Sequence, residues 1–227
     1  TRAAQPALAK ALGAAIVVDN QPGAGGIVGL QALAKSAPDG MTLSIVSNNV
    51  VILPSVFKSL PFDMPGDFTP IAVIGATPIV IVVNPAKVSA TNHKEFAALL
   101  KSKPGEFNYG SGGNGTILHL TGEHIKSGAL RAIGVGGAQR TPAAPEIPTI
   151  AEQGAPNYVV EAWFGVLGPK GMSAADVKRV HEALVAAFND PAVKEAMTKQ
   201  GNTINISTSE VAQQYFKSEK DKYAKLV

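Results

Sequence analysis

Two glycine-rich turns, each placed between an apolar segment and a helix, constrain the fold of this chain more than any other feature. The first, residues 23–26, follows residues 14–19, which we predict to form a short buried strand, and precedes a helix predicted over residues 27–36. A second strand is predicted over residues 41–47 after a short turn. Strands and helices that alternate through short connections are typical of an α/β fold with a parallel sheet.

The second glycine-rich turn lies within residues 108–119 (NYGSGGNGTILH), where a predicted strand ends and a helix begins at once. A turn of this kind exposes several backbone N–H groups, and the start of a helix adds a partial positive charge. Ser111, Asn114 and Thr116 can add side-chain donors. Together these groups can hold a carboxylate or a phosphate without a cationic side chain. A plain tight turn, with Thr116 capping its helix, is an equally good interpretation.

The composition excludes several classes of protein. With 227 residues, 45% of them hydrophobic, the chain can form one large domain or two small ones. Its 20 basic residues are scattered and the net charge is only +3, so we expect no nucleic-acid partner. The absence of cysteine excludes a thiol nucleophile. The longest apolar run, residues 71–83, is broken by Gly75 and Pro78 and is shorter than a membrane span, so we expect the chain not to cross a membrane.

Polar residues follow the second predicted strand at its carboxyl end. Ser47, Asn48 and Asn49 lie there, where ligands bind in open α/β sheets, although an ordinary polar loop is an equally good interpretation. The turn at residues 23–26 resembles a dinucleotide-binding fingerprint but fails it, because Val28 stands where glycine or alanine is required. We therefore interpret that turn as a close strand–helix connection.

The histidines and the only tryptophan receive structural interpretations. His119 and His124 are five residues apart and do not share a helix face, so we predict no metal site. His119 is interpreted as a capping or supporting residue beside the second glycine turn. Trp163 is interpreted as a core residue, since a large aromatic side chain is usually buried.

Local capping signals predict where several helices begin. Asn92 is followed three residues later by Glu95, and Ser173 is followed three residues later by Asp176. Both pairs have the spacing of a side chain that caps the start of a helix. Asp190 precedes a proline and predicts another helix start.

Seven segments form an ordered series over nearly the whole chain. They are VVDNQPGAGGIVG (17–29), APDGMTLSIVS (37–47), PFDMPGDFTPIAVIG (61–75), PGEFNYGSGGNGTILHLTGE (104–123), IKSGALRAIGV (125–135), Arg140 with EIPTIAEQG (146–154), and WFGVLGPKG (163–171). Each segment is weak by itself. As a series they resemble the Bug family, the receptors of tripartite tricarboxylate transporters.

The resemblance implies a periplasmic binding protein fold of type II, with two α/β lobes and a ligand cleft between them. Residues 1–80 and 162–227 would form lobe 1, and residues 81–161 would form lobe 2. It implies a periplasmic receptor that closes on a small organic acid or amino acid and delivers it to membrane permease subunits. Such a receptor uses no cofactor and performs no chemistry, and we expect a monomer. A dinucleotide-binding α/β enzyme and a sensor domain of the same fold stay open as alternatives.

The resemblance also indicates a ligand site. In the family, the turn that matches residues 111–116 faces the ligand. The loop that matches residues 47–49 and the crossing near residue 77 lie at the cleft. The predicted ligand-binding residues are Ser47, Asn48, Asn49, Thr77, Ser111, Gly112, Gly113, Asn114, Gly115, Thr116 and His119.

The chain departs from the family pattern in two places. The family begins with a strand and a Pro-Gly-Gly loop, whereas Thr1 falls inside the helix that follows them, and we expect that an exported protein would start after the cleavage site of a signal peptide. The family also has further strand and helix elements where Glu123 here runs directly into His124. Lobe 2 is therefore expected to be shortened near residues 123–124, which makes it small for an independent core.

Overall fold

The structure is a computed structural model and describes residues 1–106, 128–141 and 144–225. Unit 1 comprises Thr1–Ala76, Trp163–Met197 and Thr203–Val227. Unit 2 comprises Thr77–Ala162 and Thr198–Asn202. Within the described ranges, every helix is too short or too polar to cross a membrane.

Helices and strands alternate along most of the described chain. They are α1 (Gln5–Leu12), α2 (Ile27–Ala34), β1 (Ser44–Ser47), α3 (Asn49–Val56), β2 (Phe68–Pro78), β3 (Val80–Val83), α4 (His93–Ser102), β4 (Arg131–Val135), β5 (Glu161–Pro169), α5 (Ala174–Asn189), α6 (Pro191–Lys199), β6 (Thr203–Ile204) and α7 (Ser209–Ala224). This mixture of sheets and helices confirms the predicted α/β class.

A four-stranded sheet in the order β1–β5–β2–β6 forms the centre of unit 1. Trp163 at the start of β5 is only 2% exposed and contacts Phe216 of α7 edge to face, with ring centroids 4.9 Å apart. A second apolar cluster packs β2 and β5 against α5 through Ile71, Val166 and Leu184. The prediction that Trp163 is a core residue is confirmed.

The expectation of a parallel sheet is wrong for the pairs whose register is defined. Strand β1 pairs antiparallel with β5, with Ser44 opposite Leu167, and β2 pairs antiparallel with β6, with Gly75 opposite Ile204. Apolar runs predict that strands are buried, but they do not encode strand direction. Direction is set by which distant segment each strand meets.

The prediction of a buried strand over residues 14–19 is also wrong. The segment belongs to no strand among the described residues, and the Val17 side chain is 89% exposed. The side-chain amide of Gln5 contacts this segment, since its Nε2 donates to the Ile16 carbonyl over 2.7 Å. The sequence was apolar enough for a strand, but a strand needs a neighbour to supply its hydrogen bonds.

Helix α3 was not predicted, although it begins next to a candidate site. Its sequence, NVVILPSV, is rich in β-branched residues and contains Pro54, which are poor helix formers. Val50, Val51 and Leu53 are buried in the core of unit 1. Tertiary packing therefore stabilises this helix in place of intrinsic propensity.

Unit 2 contains a two-stranded antiparallel sheet, in which Val80 of β3 lies opposite Val135 of β4. Residues 148–150 pair in parallel with the end of β4, since Ile150 N donates to the Val135 carbonyl over 2.8 Å and Val135 N donates to the Pro148 carbonyl over 3.0 Å. The buried residues of its described core cluster are Val83, Val88, Ala90 and Ile133.

The predicted helix starts are confirmed. The Asn92 side chain accepts from Glu95 N over 3.0 Å, and the Glu95 carboxylate accepts from Thr91 N. The pKa of Glu95 is held below its usual value, first by that backbone hydrogen bond. Ser173 Oγ likewise accepts from the Asp176 backbone N–H over 3.1 Å. At the start of α6, Asp190 Oδ1 accepts from Ala192 N over 2.9 Å.

Candidate functional site

The loop of Ser47, Asn48 and Asn49 connects β1 to α3 in unit 1. Ser47 is the last residue of β1, Asn48 occupies the N-cap position, and Asn49 is the first residue of the helix. The Ser47 hydroxyl donates to Asn49 Oδ1, so the two side chains hold one another. All three residues are partly exposed and uncharged. The loop therefore presents neutral polar groups at a strand end, as predicted.

The first glycine turn lies against this loop. Asn49 Nδ2 donates to the Gly25 carbonyl over 2.8 Å. The turn reaches that position through successive positive φ angles, at Gly23 (135°), Ala24 (45°), Gly25 (67°) and Gly26 (101°). Positive φ strains a residue with a Cβ atom, which explains the three glycines here. The structure thus joins two segments that sequence analysis had weighed separately.

A third segment, the end of α7, also reaches the loop. Asn48 Nδ2 lies 3.3 Å from the hydroxyl oxygen of Tyr223, to which it donates. The two residues are 175 positions apart in sequence. Sequence analysis missed Tyr223, because no local pattern links a tyrosine in a charged terminal helix to a distant strand end.

Thr77 belongs to unit 2, where it is 3% exposed. Its hydroxyl donates to Asn202 Oδ1 in the same unit. This hydrogen bond therefore connects the short segment Thr198–Asn202 to the end of β2. This contact gives Thr77 a structural role that its sequence context did not reveal.

The remaining predicted site residues lie outside the described residues. This applies to the whole second glycine turn and to the helix predicted after it. They are Ser111, Gly112, Gly113, Asn114, Gly115, Thr116 and His119.

Comparison with solved structures defines the class of fold. A structure titled as that of a periplasmic transporter matches with a TM-score of 0.85 and 29% identity, over 99% of this chain and 89% of the other. MatC from Rhodopseudomonas palustris with bound malate matches with a TM-score of 0.84 and 22% identity, over 99% and 92% of the two chains. A second R. palustris protein, with adipate, matches with a TM-score of 0.82 and 21% identity, over 99% and 89%. The fold is that of a periplasmic binding protein.

Sequence comparison identifies the family. The profile described as "Tripartite tricarboxylate transporter family receptor" matches residues 1–128 and 123–227. Protein BugT of Bordetella pertussis is 30% identical, over 97% of this chain and 81% of that protein. The chain therefore belongs to the family of tripartite tricarboxylate transporter receptors, and the resemblance drawn from its segments is confirmed.

The alignment with BugT has more positions than the number of residues that this chain contributes to it. It spans 264 residues, whereas 97% of the 227-residue chain is about 220 residues. About 44 aligned positions of BugT therefore have no residue of this chain opposite them. The UPF0065 protein in the tcbD-tcbE intergenic region of Pseudomonas sp. (strain P51) is 28% identical and shows nearly the same difference, with 263 aligned residues over 97% of this chain and 78% of its own length.

Proposed function

We propose that this receptor captures a small carboxylate outside the cytoplasmic membrane and delivers it to the membrane subunits of its transporter without changing it chemically. The observation that carries the proposal is the family match, which extends over both halves of the chain. The protein acts as a monomer in this proposal. A receptor must release its ligand, and neutral hydrogen-bond donors suit release better than a buried ion pair.

The choice of a carboxylate is supported by relatives of the same fold. Two of the matching structures contain dicarboxylates, malate in one and adipate in the other. In unit 1, the side-chain amides of Asn48 and Asn49 and the hydroxyl of Ser47 are the kinds of group that hydrogen-bond a carboxylate. An amino acid carries the same carboxylate and is the next ligand class to test.

The ligand site of the proposal keeps every position predicted from the sequence. Ser47, Asn48 and Asn49 supply polar groups from unit 1. The remaining members are Thr77, Ser111, Gly112, Gly113, Asn114, Gly115, Thr116 and His119.

We also infer that units 1 and 2 correspond to the two lobes of the family, and that the second lobe is shortened near residues 123–124. Two observations support this inference. The family profile matches the chain in two ranges that meet at residues 123–128. In addition, about 44 positions of BugT have no counterpart here. A loss at that junction would fall within unit 2.

A thermal-shift screen tests the proposed function. The protein is heated with malate, adipate, citrate, acetate, glutamate, NAD and NADP, each in a separate sample. A ligand at 100 times its Kd adds about 2.7 kcal/mol to the free energy of unfolding, which raises Tm by several degrees. We expect a carboxylate to raise Tm and the dinucleotides to leave it unchanged. A shift with NAD or NADP alone would replace the receptor proposal with a dinucleotide-binding enzyme.

The substitution Asn48→Asp tests the loop itself. A carboxylate at position 48 can still accept a hydrogen bond from Tyr223, but it repels an anionic ligand. We expect the Kd of the stabilising carboxylate to rise at least about fivefold, since two unit charges a few ångströms apart repel by about 1 kcal/mol even in water. Asn92→Asp is the matched control, because aspartate caps a helix as well as asparagine does and adds the same charge to unit 2. Equal Kd values for both variants would remove the loop from the site.

A further inference from the structure

The contact between Tyr223 and Asn48 links the last turn of α7 to the candidate loop. Asn48 Nδ2 donates to the Tyr223 hydroxyl oxygen over 3.3 Å, and both side chains are partly buried. An asparagine side chain can present either its oxygen or its nitrogen in a given direction. Nδ2 carries two hydrogens, so when Tyr223 accepts one of them the orientation of the amide is fixed and the other N–H can be donated to a carboxylate.

The last turns of α7 are themselves anchored in the core of unit 1. Glu219 is only 7% exposed, and its Oε2 accepts from the indole Nε1 of Trp163 over 2.9 Å. Its other oxygen, Oε1, accepts from Lys222 Nζ over 3.1 Å. Lys222 Nζ also lies 5.5 Å from the centroid of the Tyr223 ring, within cation–π range.

Asn49 is held by different partners. Its Nδ2 donates to the Gly25 carbonyl, while its Oδ1 accepts from Ser47. Two adjacent asparagines are therefore fixed by different partners, one by the glycine turn and one by the terminal helix. Asn49 contacts the backbone of Gly25, whereas Asn48 contacts a side chain 175 positions away.

We propose that Tyr223 is a positioning residue for ligand binding, which orients the Asn48 amide towards the captured carboxylate. This inference rests on the proposed function, because it takes the loop of Ser47, Asn48 and Asn49 as part of the ligand site. The hydrogen bond between Trp163 and Glu219 supports Tyr223 indirectly, because it fixes the end of α7. The residue is thus a determinant of affinity supplied by the far end of the chain.

The test replaces Tyr223 with phenylalanine, which removes the hydroxyl group and keeps the ring. The probes are malate and adipate, titrated by calorimetry. We expect Kd to rise about 2- to 10-fold, the effect of losing one neutral hydrogen bond, with Tm almost unchanged. Tyr158→Phe, which removes a phenol hydroxyl from unit 2, is the control and should leave Kd unchanged.

A double-mutant cycle separates positioning from a general structural effect. If Tyr223 acts through Asn48, then Tyr223→Phe should not weaken binding further in an Asn48→Ala background. Full additivity of the two effects would overturn the inference. A Tyr223→Phe protein with wild-type affinity for a probe that binds the wild type would also overturn it.

Hydrogen exchange in the absence of ligand distinguishes failure of this inference from failure of the proposed function. Tyr223→Phe should speed amide exchange at residues 47–51 several-fold, while Tyr158→Phe should not. Faster exchange in a protein that binds neither probe would support the positioning contact and count against dicarboxylate capture. Unchanged exchange would show that the hydroxyl does not hold the loop.

Discussion

The two units differ in what holds them together. Unit 1 has a four-stranded sheet and a core that contains large aromatic side chains such as Trp163 and Phe216. The described part of unit 2 has a two-stranded sheet and a small aliphatic cluster around Ile133. A two-stranded sheet is marginally stable by itself. Among the described residues, unit 1 therefore buries larger apolar side chains than unit 2, and the two units should respond to different changes.

Polar contacts connect the loop after β4 to the rest of unit 2. Gln153 donates from Nε2 to the Ile133 carbonyl over 2.9 Å and accepts at Oε1 from His93 N over 2.6 Å. Arg140 Nε donates to the Glu152 carboxylate over 3.0 Å, and that carboxylate also accepts from Thr149 N over 2.6 Å. In the described part of unit 2, these directed hydrogen bonds add to the apolar contacts of the fully buried Val135 and Ile150.

The largest expected effect is the loss of an aromatic ring from unit 1. Phe216 is fully buried, so Phe216→Ala should lower the free energy of unfolding by about 3–5 kcal/mol. Urea unfolding followed by the fluorescence of Trp163, the only tryptophan, would measure this change directly beside the new cavity. Val211→Ala on the same helix removes a side chain that is 51% exposed and should change the value by less than about 0.5 kcal/mol. Similar losses for both variants would contradict the assignment of this core.

A pair of glycine substitutions compares rigid backbone with movable side chains. A Cβ at Gly75 would overlap the backbone carbonyl of Thr203 in the β2–β6 pair, which cannot move without breaking the sheet. Gly75→Ala should therefore cost about 1–3 kcal/mol in unit 1. A Cβ at Gly134 in unit 2 would meet the ends of the Ile150 and Gln153 side chains, at 2.5 and 2.6 Å; these ends can shift by less costly movements than a backbone carbonyl, although the Gln153 hydrogen bond to the Ile133 carbonyl is disturbed.

The expected order of the glycine variants can be checked by circular dichroism in urea. Gly134→Ala should cost less than Gly75→Ala, about 1 kcal/mol or less. An equal or greater loss at Gly134 would show that unit 2 is as tightly packed as unit 1.

Hydrogen exchange in the native protein tests the comparison without any substitution. Local opening requires less free energy where few apolar groups are buried. Amides of β3 and β4 should therefore exchange at least about tenfold faster than amides of β2 and β5, measured by mass spectrometry on peptides from each strand. Equal protection in both units would contradict the expectation that the described part of unit 2, with its smaller apolar core, opens more easily.

The sequence predicted what depends on a few neighbouring residues. The caps at Asn92 and Ser173 were correct because a side chain and a backbone N–H three residues later determine them. Residues 47–49 were correctly placed at a strand end. Residues 14–19 were wrongly predicted to form a strand, because a strand also needs a partner that lies elsewhere in the chain.

The contacts that build the candidate site were beyond sequence analysis for the same reason. Asn49 meets Gly25 across 24 positions, and Asn48 meets Tyr223 across 175 positions. No spacing rule connects such residues. The first glycine turn was recognisable by composition, but only the backbone angles of residues 23–26 show how it reaches the loop.

The smallest expected effect is a dependence of unit 2 on acid pH through Glu152. The hydrogen bond from Arg140, followed by the N–H of Thr149, lowers the pKa of Glu152 from its usual 4.5. A lowered pKa in the folded state means that the carboxylate stabilises the fold above about pH 4.5, and that this contribution is lost as the pH falls through the lowered value. Amides of residues 144–154 should therefore exchange faster in acid, after correction for intrinsic rates.

The substitution Glu152→Gln should reduce this acid response and accelerate exchange of the same loop at pH 7. Glu146→Gln removes an equal charge from the same loop and is the control. Because Arg140 and Glu152 are both about half exposed, solvent weakens their attraction, and the effect should stay within unit 2 without altering the Trp163 transition of unit 1. An acid response that survives Glu152→Gln, or a shift in the Trp163 transition, would mean that polar bracing does not distinguish the two units.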